Sequence, residues 1–139
     1  IGVSYQDRHV IDKINIREAT FKAMNEAAKQ LCITPSKLLI DGNAFKNQTD
    51  IPVECIVKGD GKMSAIAAAS IMAKESRDAF VVELCDEYPM LDDVYGIKGH
   101  KGYATAKHMQ TIRDQGYTLF HRKTFRPCKE DGIREINMS

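Results

Sequence analysis

Two aspartates, Asp41 and Asp60, stand where an apolar strand gives way to a polar turn, which is where a carboxylate can meet a ligand. Asp41 follows Leu38-Leu39-Ile40 and precedes Gly42-Asn43. An acid at the carboxyl end of a buried strand lies where α/β sheets place their ligands. The same Asp-Gly-Asn run is turn chemistry, in which the side chain folds back onto its own backbone. Asp60 lies in Val57-Lys58-Gly59-Asp60-Gly61-Lys62, between a strand and a helix. It reads as a helix N-cap or as a second carboxylate beside the strand of Asp41. Carboxylates from neighbouring strands can converge on a divalent ion, which prefers hard oxygen ligands. Two such ions would stabilise the attacking and leaving oxygens of a phosphodiester displacement. Two aspartates are a thin ligand set, so a complete site needs more acids.

Other candidates weaken on inspection. Gly59-Asp60-Gly61-Lys62 is no nucleotide-phosphate loop: Ile56 occupies the place of the required upstream glycine, and Met63 that of the Ser or Thr after the lysine. Asp78 sits roughly 20 Å along a helix beginning near Ser64, given ~1.5 Å per residue, and suits an ion pair with a neighbouring base. His100, His108 and His121 have no paired spacing for zinc and read as phosphate-contacting or simply exposed groups. Gly99-His100-Lys101-Gly102-Tyr103 is more informative, joining two glycines, two cations and an aromatic. Such a loop can stack a ring on a base or sugar while its cations hold phosphates, or Tyr103 can pack on its own helix.

The elements that would position these residues follow from spacing. Ile1–Tyr5 reads as a short strand or strand end. A helical region from Gln6 to about Leu31 places Ile16, Thr20, Ala23, Met24, Ala27 and Leu31 on one face, and Thr34-Pro35 closes it. Strands are predicted over Lys37–Ile40 and Val53–Val57. A long helix runs from about Lys62 to Tyr88 before Pro89, and its small residues from Ala65 to Ser70 allow close approach to a sheet. A flexible glycine-rich patch follows, then a helix from about Thr105 to Gln115, stopped by Gly116. Strands alternating with helices make this an α/β protein.

Composition sets the bounds. At 139 residues, 43% hydrophobic and 28% charged, the chain has the make-up of one soluble domain. No apolar run spans a bilayer. The four cysteines are widely spaced, three of them in apolar stretches where cysteine behaves as a small core residue, and a reduced, cytoplasmic setting fits them. The net charge of +1 conceals an asymmetry: from Lys98 to Lys129, eight Lys or Arg face one acid, Asp114, giving +7 against −6 elsewhere. A basic stretch can neutralise nucleic-acid phosphates or be a solvated tail.

Six stretches in order resemble the bacterial-type ribonuclease HII family. They are Ile14–Thr20 with Ala23-Met24, Leu39–Asn43, Val57–Asp60, Ser64–Lys74 with Arg77-Asp78, His100–Thr105, and His121–Phe125. The resemblance implies a ribonuclease-H-like fold and cleavage of the RNA strand of RNA/DNA hybrids, including ribonucleotides embedded in DNA, with Mg²⁺ or Mn²⁺. It places Asp41 and Asp60 on the third and fourth of four metal-binding carboxylates. It places Tyr103 on the tyrosine that stacks near the RNA–DNA junction. Lys58, Ser70, His100, Lys101 and Arg122 fall on substrate-side or site-supporting positions.

One departure is large. The family's adjacent Asp-Glu pair followed by a ribose-sensing Gly-Arg-Gly loop is nowhere in these residues, and Asp86-Glu87 lies at a helix end. The chain also opens at Ile1 without a methionine. The expectation is an incomplete fold lacking N-terminal strands, catalytically weak alone, with an uncovered sheet edge that invites a homo-oligomer. It divides into a partial catalytic core over residues 1–97 and a basic nucleic-acid-binding region over 98–139. The rival reading is a non-catalytic duplex-binding module.

Overall fold

Asp7 starts the first helix, its carboxylate accepting the Val10 N–H at 3.0 Å. This is N-cap chemistry, which satisfies a donor the helix leaves open. The computed structural model describes residues 1–138 and runs α1 (Arg8–Lys29), β1 (Leu38–Asp41), β2 (Val53–Ile56), a 3₁₀ turn (Gly59–Gly61), α2 (Ser64–Glu87), α3 (Met90–Asp93), α4 (Ile97–His100) and α5 (Ala106–Gln115). The protein is thus α/β, with a two-stranded parallel sheet. The predicted strand over Ile1–Tyr5 does not form. A strand needs a neighbour for its backbone groups, and among the described residues these find side chains instead: the Val3 N–H donates to Gln30 Oε1.

Helix α1 is broken at Asn15, whose backbone leaves the helical region (φ 69°, ψ 165°). Its Oδ1 accepts the N–H groups of Arg17 and Glu18, which caps the second segment anew. Of the face read from spacing, Ala23, Met24, Ala27 and Leu31 are half-buried and Thr20 is exposed. Ile16 is half exposed, whereas Ala19 and Asn25 are each 1% exposed.

The chain forms two compact units, Ile1–Ser76 and Arg77–Ser139, with α2 running through the division. In the first, β1 and β2 pair in register from Leu38 opposite Val53 to Asp41 opposite Ile56. Asn25 ties their connection to α1. Its amide donates to the carbonyls of Phe21 and Lys46, and its oxygen accepts the Gln48 N–H at 2.7 Å. The small-residue part of α2 is bare within this unit: Ala65 and Ala68–Ser70 are exposed, as is Ile71, and Ile66 alone of residues 64–72 is buried.

In the second unit Cys85, Leu91, Tyr95, Ile97, Ile112 and Cys128 form a buried cluster, with Val81, Leu84 and Phe120 packed against it. The glycine-rich patch is ordered around α4 and tied back to α3, because the Asp92 side chain accepts the Lys98 N–H and the carbonyl of Asp92 accepts the Gly96 N–H. Gly116 ends α5 at φ 93°, and a Cβ there would lie 2.5 Å from the Arg134 carbonyl oxygen. Only glycine fits such a position. Tyr95, 1% exposed, donates its hydroxyl to the Gly116 carbonyl at 2.9 Å.

Candidate functional site

Strand β1 ends by delivering Asp41, exposed, at the carboxyl edge of the parallel pair. One oxygen, Oδ1, accepts the Gly59 N–H at 2.8 Å. That bond clamps the end of β1 to the turn carrying Asp60. Gly59 is buried, and a Cβ there would come within 2.5 Å of Ile66 Cδ1 and 3.5 Å of Asp41 Oδ1. The turn lies this close to β1 and α2 because residue 59 has no side chain. Lys58 opens the turn in a left-handed conformation (φ 56°), and Asp60 is exposed with Oδ1 accepting the Gly61 N–H at 2.9 Å. Both readings of the aspartates are therefore visible at once: each has an oxygen engaged by a turn N–H, and each carboxylate faces water. Ser70 is exposed on α2 in the same unit. Among the described residues no three of His, Cys, Asp and Glu gather to hold a metal.

Asp78 pairs with Arg77 at 3.3 Å, the ion-pair role expected of it. The cysteines are all free, but only Cys85 and Cys128 are core residues; Cys32 and Cys55 are exposed. The thiol of Cys85 is pushed above its ordinary value, first by burial and next by Asp92.

The second unit assembles the aromatic candidate. Tyr103 is 54% exposed, and the Arg77 guanidinium lies 4.7 Å from its ring centroid. A cation on one face of a tyrosine is attracted by the ring quadrupole. Sequence reading missed Arg77 as a partner, because it stands on α2, far along the chain. The Tyr103 main chain is held as well: its N–H donates to the His100 carbonyl, and its own carbonyl accepts from Thr105 N–H and His108 Nδ1.

The histidines differ from the expectation. His108 is 5% exposed rather than solvent-facing. Its ring stacks on His100 at 4.3 Å between centroids, and its Nε2 lies 3.0 Å from His121 Nε2. Burial holds its pKa below the ordinary 6.5; the Tyr103 carbonyl opposes that shift and His100 adds to it. The spacing that argued against zinc gave no signal for this cluster, since the three rings come from α4, α5 and the following loop.

Lys101 is left-handed (φ 51°), half-buried, and turns its amine onto the Lys98 carbonyl. Arg122 lies 4.6 Å from the Phe125 ring, with Nε buried and unbonded. Arg77, Lys101, Arg122 and Arg126 border a cavity of about 300 Å³ whose floor includes Leu84, Ile112 and Phe120. The sequence-level excess of +7 is trimmed by tertiary pairing. Lys98 meets Asp86, Arg113 meets Glu130 and Lys123 meets Glu135, all acids outside the basic window. Among the described residues, no helix is long and apolar enough to cross a membrane.

A family profile described as Ribonuclease HII matches residues 1–128. A ribonuclease HII of Phocaeicola vulgatus is 50% identical over 126 residues, covering 91% of this chain and 61% of the relative. One from Chlorobaculum parvum is 46% identical, covering 90% and 59%. One from Parabacteroides distasonis is 52% identical, covering 83% and 56%. The chain thus spans about three-fifths of the length of the relatives it matches.

Proposed function

Because the chain belongs to the ribonuclease HII family, we propose that it contributes to an endonuclease that cuts the RNA strand of RNA/DNA hybrids or at ribonucleotides embedded in DNA. The observation that supports this most is the clamp between Asp41 Oδ1 and the Gly59 N–H. It keeps two carboxylate-bearing segments side by side at the strand ends, where α/β proteins bind ligands.

The donors suit Mg²⁺ or Mn²⁺ in kind, being exposed carboxylate oxygens. In number they fall short, since no group of three metal-binding side chains forms among the described residues. A bound divalent ion would polarise the scissile phosphodiester and stabilise the developing charge. In this reading Asp41 and Asp60 hold part of the metal. Lys58 and Ser70 stand on the substrate side of that unit. Tyr103 stacks on the nucleic acid, with His100, Lys101 and Arg122 on the phosphate side. The basic region over 98–139 is the gripping part, and residues 1–97 the catalytic part. The unpaired edges of the β1–β2 sheet are where a second copy would pair.

The family's Asp-Glu and Gly-Arg-Gly stretch is not in these 139 residues. The chain by itself is therefore expected to leave a labelled hybrid uncut in Mg²⁺, and robust cleavage would overturn that. In a polypeptide that also carries the family's Asp-Glu and Gly-Arg-Gly stretch, Asp41→Asn is expected to reduce cleavage at least a hundredfold, the order of effect for a lost charge-stabilising group, with hybrid affinity kept.

A second reading has its own observation: Asp41 and Asp60 each bond a turn N–H, as a turn and a cap would. It makes the chain a duplex-binding module without catalysis. Unchanged cleavage by the Asp41→Asn polypeptide would favour that reading.

A further inference from the structure

The three histidines of the second unit leave little freedom in where their protons sit. The Thr118 N–H donates to His121 Nδ1 at 3.1 Å, so Nδ1 carries no proton and Nε2 does. Thr118, fully buried, adds its hydroxyl at 2.9 Å from the same nitrogen, while Thr118 Oγ1 accepts the Phe120 N–H. His121 Nε2–H then points at His108 Nε2, 3.0 Å away, which must accept. That leaves the proton of His108 on Nδ1, facing the Tyr103 carbonyl at 3.0 Å. A carbonyl can only accept, so each link agrees with the next. His100 is fixed in the same way: Nδ1 accepts the Gly102 N–H at 3.2 Å, and Nε2–H donates to the Tyr95 carbonyl at 2.8 Å. The hydrogen bonds thus select one tautomer for each ring, because the hydrogen bond on one ring nitrogen sets the role of the other.

We propose that His108 and His121 are positioning residues for Tyr103, forming a directional relay from Thr118 through His121 and His108 to the Tyr103 main chain. The relay holds from below the backbone whose ring Arg77 steadies from the side. The ring is exposed while its carbonyl is tied to a buried group, so contact with a partner is made from a backbone that does not have to be ordered first. Ordering a loop on binding has an entropic cost, and the relay removes part of it. The functional consequence rests on the reading that Tyr103 meets nucleic acid; the anchoring does not.

Two substitutions separate the ends of the relay. In His108→Asn the amide nitrogen can replace Nδ1 and still donate to Tyr103, but the link to His121 is lost. In His108→Gln the amide reaches the place of Nε2 and keeps His121, but Tyr103 loses its donor. Amide hydrogen exchange of the full chain should accelerate about three- to tenfold over Gly102–Thr105 in His108→Gln, the equivalent of one hydrogen bond. It should stay near the parent rate in His108→Asn. Equal exchange in both variants overturns the anchoring, as does an imidazole ¹⁵N spectrum placing the His108 proton on Nε2. Thermal melts report whether either variant unfolds, and the imidazole spectrum of the unaltered chain needs neither variant. For the consequence, hybrid affinity should weaken about three- to tenfold in His108→Gln, and adding that change to Tyr103→Ala should cost nothing more. Tyr103→Ala binding as tightly as the parent would sink the nucleic-acid role of Tyr103, while the exchange result still decides the relay.

Discussion

The unit that bears the acids and the unit that bears the basic aromatic loop are held together by different means. Over Ile1–Ser76 the buried side chains are few, chiefly Ala19, Asn25 and Ile66, and the segments are joined by polar ties. Asn25 bonds the β1–β2 connection, and Asp41 bonds the turn before α2. Over Arg77–Ser139 a cluster of Leu91, Tyr95, Ile97 and Ile112 packs with two cysteines, and a histidine network is built above it. Hydrogen bonds fix direction and contribute little net stability each, whereas apolar burial is worth ~25 cal/mol per Å² without regard to direction. The acids are thus oriented on a thinly covered frame, and Tyr103 is anchored to a packed one.

The largest effect that could break this comparison is in the packed unit. Leu91, 2% exposed, should cost about 2–5 kcal/mol when changed to Ala, as buried leucines do, while the half-buried Ile40→Ala should cost clearly less. Chemical denaturation of the two variants checks this, and equal losses would erase the contrast.

Next is the polar tie. Asn25→Leu keeps the branching of the side chain, in a larger form, but leaves the Lys46 carbonyl and the Gln48 N–H without their partner. Each lost hydrogen bond is worth about 0.5–1.5 kcal/mol, so losing the three made by Asn25 should cost roughly 2–4 kcal/mol in the same denaturation. A loss no greater than that of an exposed substitution would mean apolar contacts hold this unit too.

The smallest effect concerns pH. Burial keeps the His108 pKa below 6.5 in the folded chain. The unfolded chain therefore takes up that proton first, so this contribution to stability is full above pH 6.5 and falls as pH drops through the folded value. Melting temperature should decline between pH 7.5 and 5, and less steeply in His108→Asn. Parallel curves for the two would show that other groups set the slope.

The three longer helices, β1 and β2 to within a residue and the two aspartates at their ends were legible in the sequence because periodicity, Pro35, Pro89 and Gly116 act over a few residues, whereas the expected strand over Ile1–Tyr5 did not form and α3 and α4 were not foreseen. The same short-range chemistry made the Gly99–Tyr103 loop visible and the family resemblance readable. Several features were decided only by the folded chain: the Arg77 guanidinium on Tyr103, the buried Asn25 tie, the ion pairs that trim the basic region, and the histidine relay. Each depends on which side chains from separate elements meet, and spacing along one element does not contain that. The aspartates show the division best. Sequence placed Asp41 at a strand end; the Gly59 clamp, set by the bare Cα of a buried glycine against Ile66, decided that Asp60's turn lies against it.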